Sequence, residues 1–458
     1  MKKVLIIGAG FCGVSIAARL LRQQHDTPMT VYLLNGNGRI ARGMAYGTQS
    51  REHTLNVPAG NMTAFGEDPD HFLRYAHEYD HGIAADSFVS RRMYGDYLEW
   101  LLNQAEQSAL PGVELKRIYR NVTRIAPLSA DYMRVVTLDS SEEIAVDQIV
   151  LALGHFPSQN PQVDDVMFYD SERYIRDPWD HARLDAIPAR SPVLLLGTGL
   201  TAVDVAMTLL SRDSTRPITA VSRRGLLPQY HRHTAGKPRD AGAKAIWGDA
   251  LTVRAQLRGL RQYCRAIAED GRDWREGLAL LRPITGDIWA AYPQRERKRF
   301  LRHVQPYWDT HRHRLAPAVA ERFGAALARG AVRTMAARVS GFVHDGGAVR
   351  VALKSRGRDD VSSFETQYVI NCTGPCSDPR QVDNALVRQL LGDGMIRADP
   401  LGLGIDVAAD CAVVSSDGRV SDTLFYIGPW LKAHYWEATA VPDLRGFAQR
   451  LAERLIKD

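Results

Sequence analysis

Two stretches of this chain follow the same order of features: a short apolar run, a glycine-rich turn and an amphipathic helical segment. The first reads VLIIGAGFCG from residue 4 to 13, and the second reads VLLLGTGLTA from residue 193 to 202. Continuous apolar runs of this length are typical of strands that are buried on both faces, as in parallel sheets. Two strand–turn–helix units in one chain therefore predict an α/β fold with two doubly wound modules.

The first glycine-rich turn has the spacing G-x-G-x-x-G. In this motif the first glycine allows a tight turn, the second lets the backbone approach a pyrophosphate, and the third lets the helix pack on the strand. The N-terminus of that helix offers free N–H groups and the positive end of its dipole to a phosphate. We therefore expect a dinucleotide phosphate site formed by Gly8, Ala9, Gly10, Phe11, Cys12 and Gly13. The alternative is a glycine-rich turn without a ligand.

The second turn carries alanine, Ala202, in place of the third glycine, which the motif allows. Its expected phosphate contacts are Gly197, Thr198, Gly199, Leu200 and Thr201. Two such turns are much more specific than one. They predict two Rossmann-like dinucleotide-binding domains, with a flavin at one and a nicotinamide at the other, arranged for hydride transfer.

The strands that follow the two turns end differently. The first ends at Asn35, where the motif normally has an acidic residue that binds the ribose hydroxyls. Asn35 can hydrogen-bond a ribose, but it brings no charge. The second ends at Arg223 and Arg224, whose guanidinium groups can pair with a 2′-phosphate, so this site is predicted to prefer NADPH. The alternative is that both arginines are solvated surface residues.

Composition and charge exclude several classes of protein. The 458 residues are 45% hydrophobic and 24% charged, as expected for two or three globular domains rather than a disordered chain or a small disulfide scaffold. A net charge of +6 is too small to argue for nucleic-acid binding. No apolar run reaches the ~18 residues of a membrane span. The five cysteines form no dense framework and suit reduced thiols, so we expect a cytoplasmic protein.

Residues 236–330 differ from the rest, because they are rich in Arg, Trp and His. Helical spacing in Arg254–Ala268 and Gln294–Val304 predicts a mainly helical, basic insertion. Its basic side chains form a candidate surface for a substrate carboxylate or an NADPH phosphate, and a solvated helix face is an equal alternative. The substrate-binding candidates are Arg302, His303, Arg312 and His313.

Motifs for side-chain catalysis are missing. The sequence contains no H-E-x-x-H, G-x-S-x-G, Walker A or EF-hand pattern, and we expect no metal site. Cys372 and Cys376 form C-x-x-x-C, one residue longer than the thioredoxin-type motif, which favours packed thiols over a redox dithiol. The catalytic residues are therefore left unassigned, because a bound cofactor is expected to carry the chemistry.

With these residues in place, the chain resembles the two-dinucleotide flavoproteins. Within them it is similar to the bacterial FAD/NAD(P)-binding family related to class B flavin monooxygenases of the N-hydroxylating type, and the resemblance covers nearly the whole chain. The sequence pieces that carry it are GMAYG (43–47), LNVP (55–58) running to Met62, RMYGDY (92–97), DPW (177–179), RFLRH (299–303), HRHR (311–314) and WEATA (436–440).

The resemblance implies a discontinuous FAD-binding domain of residues 1–158 and 331–458. An NADPH-binding domain, 159–235, and the helical insertion, 236–330, would lie between its two parts. The turns ALGH (152–155) and CTG (372–374), the strand end at 423–428 and the loop 56–62 would add contacts to the flavin. The FAD contacts implied in this way are Asn56, Met62, Gly154, Gly374 and Gly428.

The function that the resemblance implies is an FAD-dependent, NADPH-consuming monooxygenase. Such an enzyme uses O2, through a flavin peroxide, to hydroxylate a nitrogen or sulfur of a small amine or amino acid. Two alternatives stay open: an NADPH-driven flavin reductase with a non-oxygen acceptor, and a non-catalytic protein that binds cofactor for structure or sensing.

Overall fold

The computed structural model describes the chain except for residues 37, 128–133, 233–250, 345, 358–359 and 458. The described residues form two compact units. The first unit comprises Met1–Arg51, Val57–Phe156 and Cys376–Asp458. The second unit comprises Glu52–Asn56 and Pro157–Pro375.

The strands and helices are numbered along the chain. The strands are β1 (Lys2–Ile7), β2 (Met29–Leu34), β3 (Val113–Ile118), β4 (Val122–Pro127), β5 (Arg134–Leu138), β6 (Glu143–Val146), β7 (Gln148–Leu151), β8 (Tyr174–Ile175), β9 (Val193–Leu196), β10 (Ile218–Ser222), β11 (Val332–His344), β12 (Val349–Ser355), β13 (Val361–Thr366), β14 (Tyr368–Asn371), β15 (Ala412–Val414) and β16 (Val420–Tyr426). The α-helices are α1 (Phe11–Arg22), α2 (Gly43–Tyr46), α3 (His71–His77), α4 (Arg91–Gln107), α5 (His181–Asp185), α6 (Leu200–Arg212), α7 (Val253–Glu269), α8 (Arg275–Leu281), α9 (Thr285–Ala291), α10 (Gln294–Arg299), α11 (Gln305–Arg312), α12 (Pro317–Ala328), α13 (Ala385–Gly392) and α14 (Val441–Lys457).

The first unit is built on a sheet with the strand order β15-β16-β7-β1-β2-β3. β1 lies in its middle and pairs in parallel with β2 and β7, with Ile6 opposite Leu33 and Val150. These three side chains are fully buried, as the continuous apolar runs predict. A separate antiparallel sheet of β4, β5 and β6 belongs to the same unit.

The second unit is built on a sheet with the order β13-β12-β11-β10-β9-β14-β8. β9 pairs in parallel with β10 and β14, with Leu195 opposite Ala220 and Ile370. Beyond β10 the sheet continues through β11, β12 and β13, and β12 pairs antiparallel with both β11 and β13. The two sheets confirm the predicted α/β fold with a parallel sheet behind each glycine-rich turn.

The position of residues 332–371 corrects the boundary predicted at residue 331. These residues form β11 to β14, and β11 pairs in parallel with β10 from Ile218 opposite Val332 onwards. They therefore belong to the second unit, and the chain returns to the first unit only at Cys376. Apolar patterning predicted strands here, but it does not reveal which of two sheets a strand joins.

The predicted insertion is helical in its described part. The expected helix at Arg254–Ala268 is present as α7, where the Thr252 hydroxyl caps the N-terminus by accepting from the Ala255 N–H at 3.3 Å. The expected helix at Gln294–Val304 begins as α10 but changes to a π turn over Phe300–Val304. No helix among the described residues is long and apolar enough to cross a membrane.

Candidate dinucleotide-binding sites

The turn after β1 is held against the neighbouring strands. The Gly8 N–H donates to the Leu34 carbonyl at 2.9 Å, and Gly8 has a φ of +108°, which favours glycine. A Cβ at Gly8 would lie 2.9 Å from the carbonyl carbon of Ala152 and closer still to its oxygen. A Cβ at Gly13 would lie 3.1 Å from the carbonyl carbon of Gly8. Both positions therefore require glycine because of the protein's own backbone.

Gly10 is under no such constraint. It is the N-cap of α1, with a φ of −82° and a ψ of −162°, values that any residue can adopt. An added Cβ would make only an ordinary contact, 3.6 Å from the Cα of Gly43. Glycine at this position thus leaves open space in front of the helix N-terminus, and that space fits a pyrophosphate approaching the free N–H groups.

The turn after β9 repeats this geometry in the second unit. The Gly197 N–H donates to the Val221 carbonyl at 2.7 Å, and Gly197 has a φ of +115°. A Cβ there would lie 2.9 Å from the carbonyl carbon of Cys372. Gly199, the N-cap of α6, has a φ of −82° and a ψ of −168°, and a Cβ there would meet no described atom within 4 Å. The second turn therefore also fits a pyrophosphate.

Two predicted flavin contacts lie beside the first turn. β7 and β16 are parallel neighbours, and the Ile427 N–H donates to the Leu151 carbonyl at 3.1 Å just beyond them. A Cβ at Gly428 would lie 2.7 Å from the Leu153 oxygen, so Gly428 packs against the residue before Gly154. Gly154 and Gly428 are thus brought to the same sheet edge as Gly8, as the resemblance implied.

Gly374 lies beside the second glycine-rich turn. The resemblance grouped it with the FAD contacts, but it follows β14, which pairs with β9 rather than with β1. The carbonyl of Cys372 in this turn packs against Gly197 of the second glycine-rich turn. The CTG turn therefore packs against the second glycine-rich turn through the Cys372 carbonyl, as the ALGH turn packs against the first through the Ala152 carbonyl.

The remaining two flavin candidates fall in different units. Asn56 belongs to the second unit, where its carbonyl lies 3.1 Å from Nε2 of His231. Met62 belongs to the first unit, where its side chain is buried and its N–H donates to the Ala59 carbonyl at 3.0 Å.

Among the described residues that line the cavity beside Asn35, the acids are already paired. Asn35 closes its own loop, because its side-chain amide donates to the Arg39 carbonyl. A cavity of about 300 Å³ beside this loop is lined in part by Asp96 and Glu99. Both carboxylates pair with Arg42, at 2.5 and 2.8 Å. Neither of them therefore replaces the acidic residue missing at position 35.

The ribose end of the second turn is strongly basic. Arg223 is exposed, and Arg224 donates to the Arg302 carbonyl at 2.9 Å while its guanidinium lies 5.2 Å from the ring centre of Tyr307. Arg356, in the turn after β12, hydrogen-bonds the Tyr307 hydroxyl as Arg224 does, and together they lower the pKa of Tyr307. Sequence reasoning missed Arg356, because no motif marks it and β12 is distant in sequence from β10.

The four substrate candidates of the insertion differ in exposure. Arg302 and His303 are exposed on the π turn, whereas Arg312 and His313 are half-buried at the end of α11. The π turn over Phe300–Val304 shifts the helical register at Arg302 and His303. Arg302 contributes its backbone carbonyl to the position of Arg224.

The thiols are not activated. Burial, followed by the nearby Asp204, raises the pKa of Cys372, and burial raises the pKa of Cys12 to about 12. None of the five cysteines forms a disulfide. Among the described residues, no group of three or more His, Cys, Asp or Glu side chains could hold a metal ion.

Comparison with known proteins agrees with this geometry. Residues 5–156 match a protein-family model described as FAD-NAD(P)-binding. The chain is 26% identical over 325 residues to an L-aspartate N-monooxygenase (nitrosuccinate-forming) of Streptomyces cremeus, covering 61% of this chain and 45% of that protein. It is 26% identical over 228 residues to a nitrosuccinic acid synthase of Aspergillus oryzae, covering 44% of this chain and 34% of that protein. The chain thus spans less than half the length of these curated relatives.

A solved structure matches over the whole length. L-lysine 6-monooxygenase from Pseudomonas syringae superposes with a TM-score of 0.67 at 16% identity, covering 100% of this chain and 99% of that chain. Likeness at this identity establishes the fold. Residues 5–156 are therefore similar to the FAD-NAD(P)-binding family, and the whole chain shares the fold of that solved structure.

Proposed function

We propose that the protein is an FAD- and NADPH-dependent monooxygenase that hydroxylates the nitrogen of a small amino acid or amine. The observation that carries the proposal is the pair of glycine-rich turns with nearly the same backbone geometry, one in each unit. At both turns the second glycine is the N-cap of the following helix, and a Cβ there would meet nothing closer than an ordinary contact. A single bound dinucleotide would need only one such turn.

FAD is assigned to the first turn. Gly8, Gly10 and Gly13 would admit its pyrophosphate, and Gly154 and Gly428 lie at the same sheet edge. The family model that matches residues 5–156 covers the first of these two turns. When bound, the flavin supplies hydride acceptance and oxygen activation, while the residues of the chain bind and orient it.

NADPH is assigned to the second turn. Arg223, Arg224 and Arg356 supply positive charge beyond β10, where the 2′-phosphate of this cofactor would lie in a Rossmann-like domain. The Arg302 carbonyl and the Tyr307 ring hold the Arg224 guanidinium in place. Pre-positioned guanidinium groups favour a phosphate over the neutral hydroxyl of NADH.

The names of the relatives support an amino-acid substrate. Two curated relatives act, by their names, on L-aspartate or form nitrosuccinate, and the solved structure is a lysine monooxygenase. Two of the three names describe oxidation of an amino acid, and the third names a nitrosuccinic acid product. We therefore place nitrogen ahead of sulfur as the atom that is oxidised.

The experiment measures NADPH consumption, O2 uptake and product formation for a panel of amino acids and amines. We expect N-hydroxylated product close to one equivalent per NADPH with the correct substrate. The alternative function, a flavin reductase, predicts turnover without O2 when a quinone or dye is supplied. Quinone turnover with no hydroxylated product from any amine would replace the proposal with that alternative.

A further inference from the structure

Tyr307, at the start of α11 in the second unit, lies between two arginines at the ribose end of the second turn. Its hydroxyl accepts hydrogen bonds from the guanidinium groups of both Arg224 and Arg356. Its ring also packs against Arg224, whose guanidinium lies 5.2 Å from the ring centre. A tyrosine oxygen has two lone pairs, so it can accept one N–H from each arginine. Tyr307 therefore supplies an acceptor that two like charges share.

The local sequence explains why Arg224 meets the start of α11. Pro306 has no N–H that could donate to the Arg302 carbonyl, four residues earlier in the helix. That carbonyl accepts instead from Nη2 of Arg224, at 2.9 Å. Because Tyr307 follows this proline directly, the carbonyl and the tyrosine ring both reach the same guanidinium.

The backbone of α11 is held in place, whereas the side chain of Tyr307 is accessible. The Gln229 N–H, in the segment after β10, donates to the Thr310 carbonyl of α11 at 2.8 Å. Tyr307 itself is 44% exposed. A side chain with this exposure can change rotamer into solvent while the helix stays where it is. Tyr307 can therefore leave the two arginines at the cost of its hydrogen bonds to them.

A phosphate would bind the same two arginines more strongly than the hydroxyl does. In the bonds from Arg224 and Arg356 to Tyr307 only the donor is charged, whereas a phosphate would supply a charged acceptor as well. A phosphate also offers several oxygens to the planar fork of each guanidinium. The position between the two guanidinium groups has room for one acceptor atom at hydrogen-bond distance from both. A phosphate oxygen that takes this position must displace the hydroxyl.

We infer that the Tyr307 hydroxyl stands in for the 2′-phosphate of NADPH in the cofactor-free protein and is displaced when the cofactor binds. The inference rests on the proposed function, which assigns NADPH to the second turn, and deepens it by naming a residue that sets the affinity for the phosphate. Until the cofactor arrives, the hydroxyl keeps Arg224 and Arg356 together despite their like charges. NADH has no charged group with which to displace it, so Tyr307 also acts against NADH.

The test is calorimetric titration of the oxidised, FAD-loaded protein with 2′,5′-ADP, which carries the 2′-phosphate but no nicotinamide. Tyr307→Phe keeps the ring beside Arg224 and removes only the competing hydroxyl. We therefore expect 2′,5′-ADP to bind the variant roughly three- to ten-fold more tightly, as for one hydrogen bond that no longer has to be broken. 5′-ADP, which lacks the 2′-phosphate, should bind the variant and the wild type equally.

The matched control is Tyr230→Phe. Tyr230 is also an exposed tyrosine of the second unit, 53% accessible, and its ring lies 5.1 Å from the guanidinium of Arg275 rather than that of Arg224. This control should leave the affinity for 2′,5′-ADP unchanged. Equal or weaker binding of 2′,5′-ADP by Tyr307→Phe would overturn the inference, because the hydroxyl would then be a bystander or a contact of the phosphate.

A second measurement follows the hydroxyl itself. Ultraviolet difference spectra of the wild type should show a tyrosine perturbation with 2′,5′-ADP and none with 5′-ADP, and Tyr307→Phe should lack this perturbation. Absence of the perturbation in the wild type would overturn the inference even if the variant does not fold, which circular dichroism and flavin content check.

The proposed function and this inference fail in different ways. If 2′,5′-ADP binds neither the wild type nor Tyr307→Phe, the inference and the assignment of NADPH to the second turn are both wrong. If the monooxygenase assignment alone is wrong, Tyr307→Phe still binds 2′,5′-ADP more tightly, in a protein that hydroxylates no amine.

Discussion

The two glycine-rich turns have nearly the same backbone but different surroundings at the ribose end. Gly8 and Gly197 have φ angles of +108° and +115°, and Gly10 and Gly199 both have a φ of −82°. Gly8 packs against the carbonyl of Ala152, just after β7, and Gly197 packs against the carbonyl of Cys372, just after β14. This agreement follows from the shared requirement to expose helix N–H groups to a pyrophosphate.

The difference lies beyond the second strand of each module. The first module has the neutral Asn35 with nearby acids paired to Arg42, and the second has Arg223, Arg224 and, from another hairpin, Arg356. The pyrophosphate site is therefore common to the two modules, and the residues beyond it decide which dinucleotide each one selects. Substitutions in a glycine-rich turn should therefore abolish cofactor binding, whereas substitutions of the residues beyond the second strand should change which dinucleotide is preferred.

The largest effect is expected from valine in place of the second glycine of each turn. Gly10→Val should yield protein without FAD, and Gly199→Val should keep FAD but lose its reduction by NADPH. Both backbones accept a side chain, so the loss would come from the blocked pyrophosphate. Flavin absorbance after purification and anaerobic reduction rates distinguish the two variants. Stoichiometric FAD in Gly10→Val would refute the assignment of the first turn.

A smaller effect is expected from the arginines beyond β10. Arg224→Ala and Arg356→Ala should each raise the Kd for NADPH roughly ten-fold, as for loss of one charge-assisted hydrogen bond worth about 1.5 kcal/mol. The Kd for NADH should change little, because NADH lacks the 2′-phosphate. Anaerobic titration of both cofactors checks this. An equal rise in the Kd for NADH would mean that the two arginines hold the segment after β10 in place rather than bind the 2′-phosphate.

No effect on cofactor choice, only one on stability, is expected at the third position of each turn, where the two modules differ as Gly13 and Ala202. Gly13→Ala should lower the free energy of unfolding by about 1–3 kcal/mol, because the new Cβ meets the Gly8 carbonyl. Ala202→Gly, the reciprocal control, should cost only about 0.5–1 kcal/mol from helix propensity. Urea unfolding of the FAD-free proteins measures both. Equal costs would show that the tight packing at Gly13 is not specific to the first turn.

Local sequence reasoning succeeded where chemistry depends on neighbours in the chain. Gly8, Gly10 and Gly13 form one turn, so their spacing alone predicts the strand–turn–helix geometry that the structure contains. It failed where contacts join distant segments. The apolar run before Gly374 predicts a strand, but only the sheet order reveals that its neighbour is β9.

The same limit explains the residues that sequence reasoning missed. Arg356 lies in a hairpin turn that no motif marks, and Tyr307 brings it together with Arg224. The register of Arg302 and His303 depends on a π turn, which helical spacing does not predict.

The reaction of the reduced protein with O2 in the presence of NADP+ tests the central claim most directly. Stopped-flow absorbance would follow the flavin after NADPH reduction under anaerobic conditions and subsequent mixing with O2. The account predicts a transient that absorbs between reduced and oxidised flavin, and that decays faster when an amino-acid substrate is added. Direct return to oxidised flavin, with all reducing equivalents recovered as hydrogen peroxide for every amine tested, would contradict it.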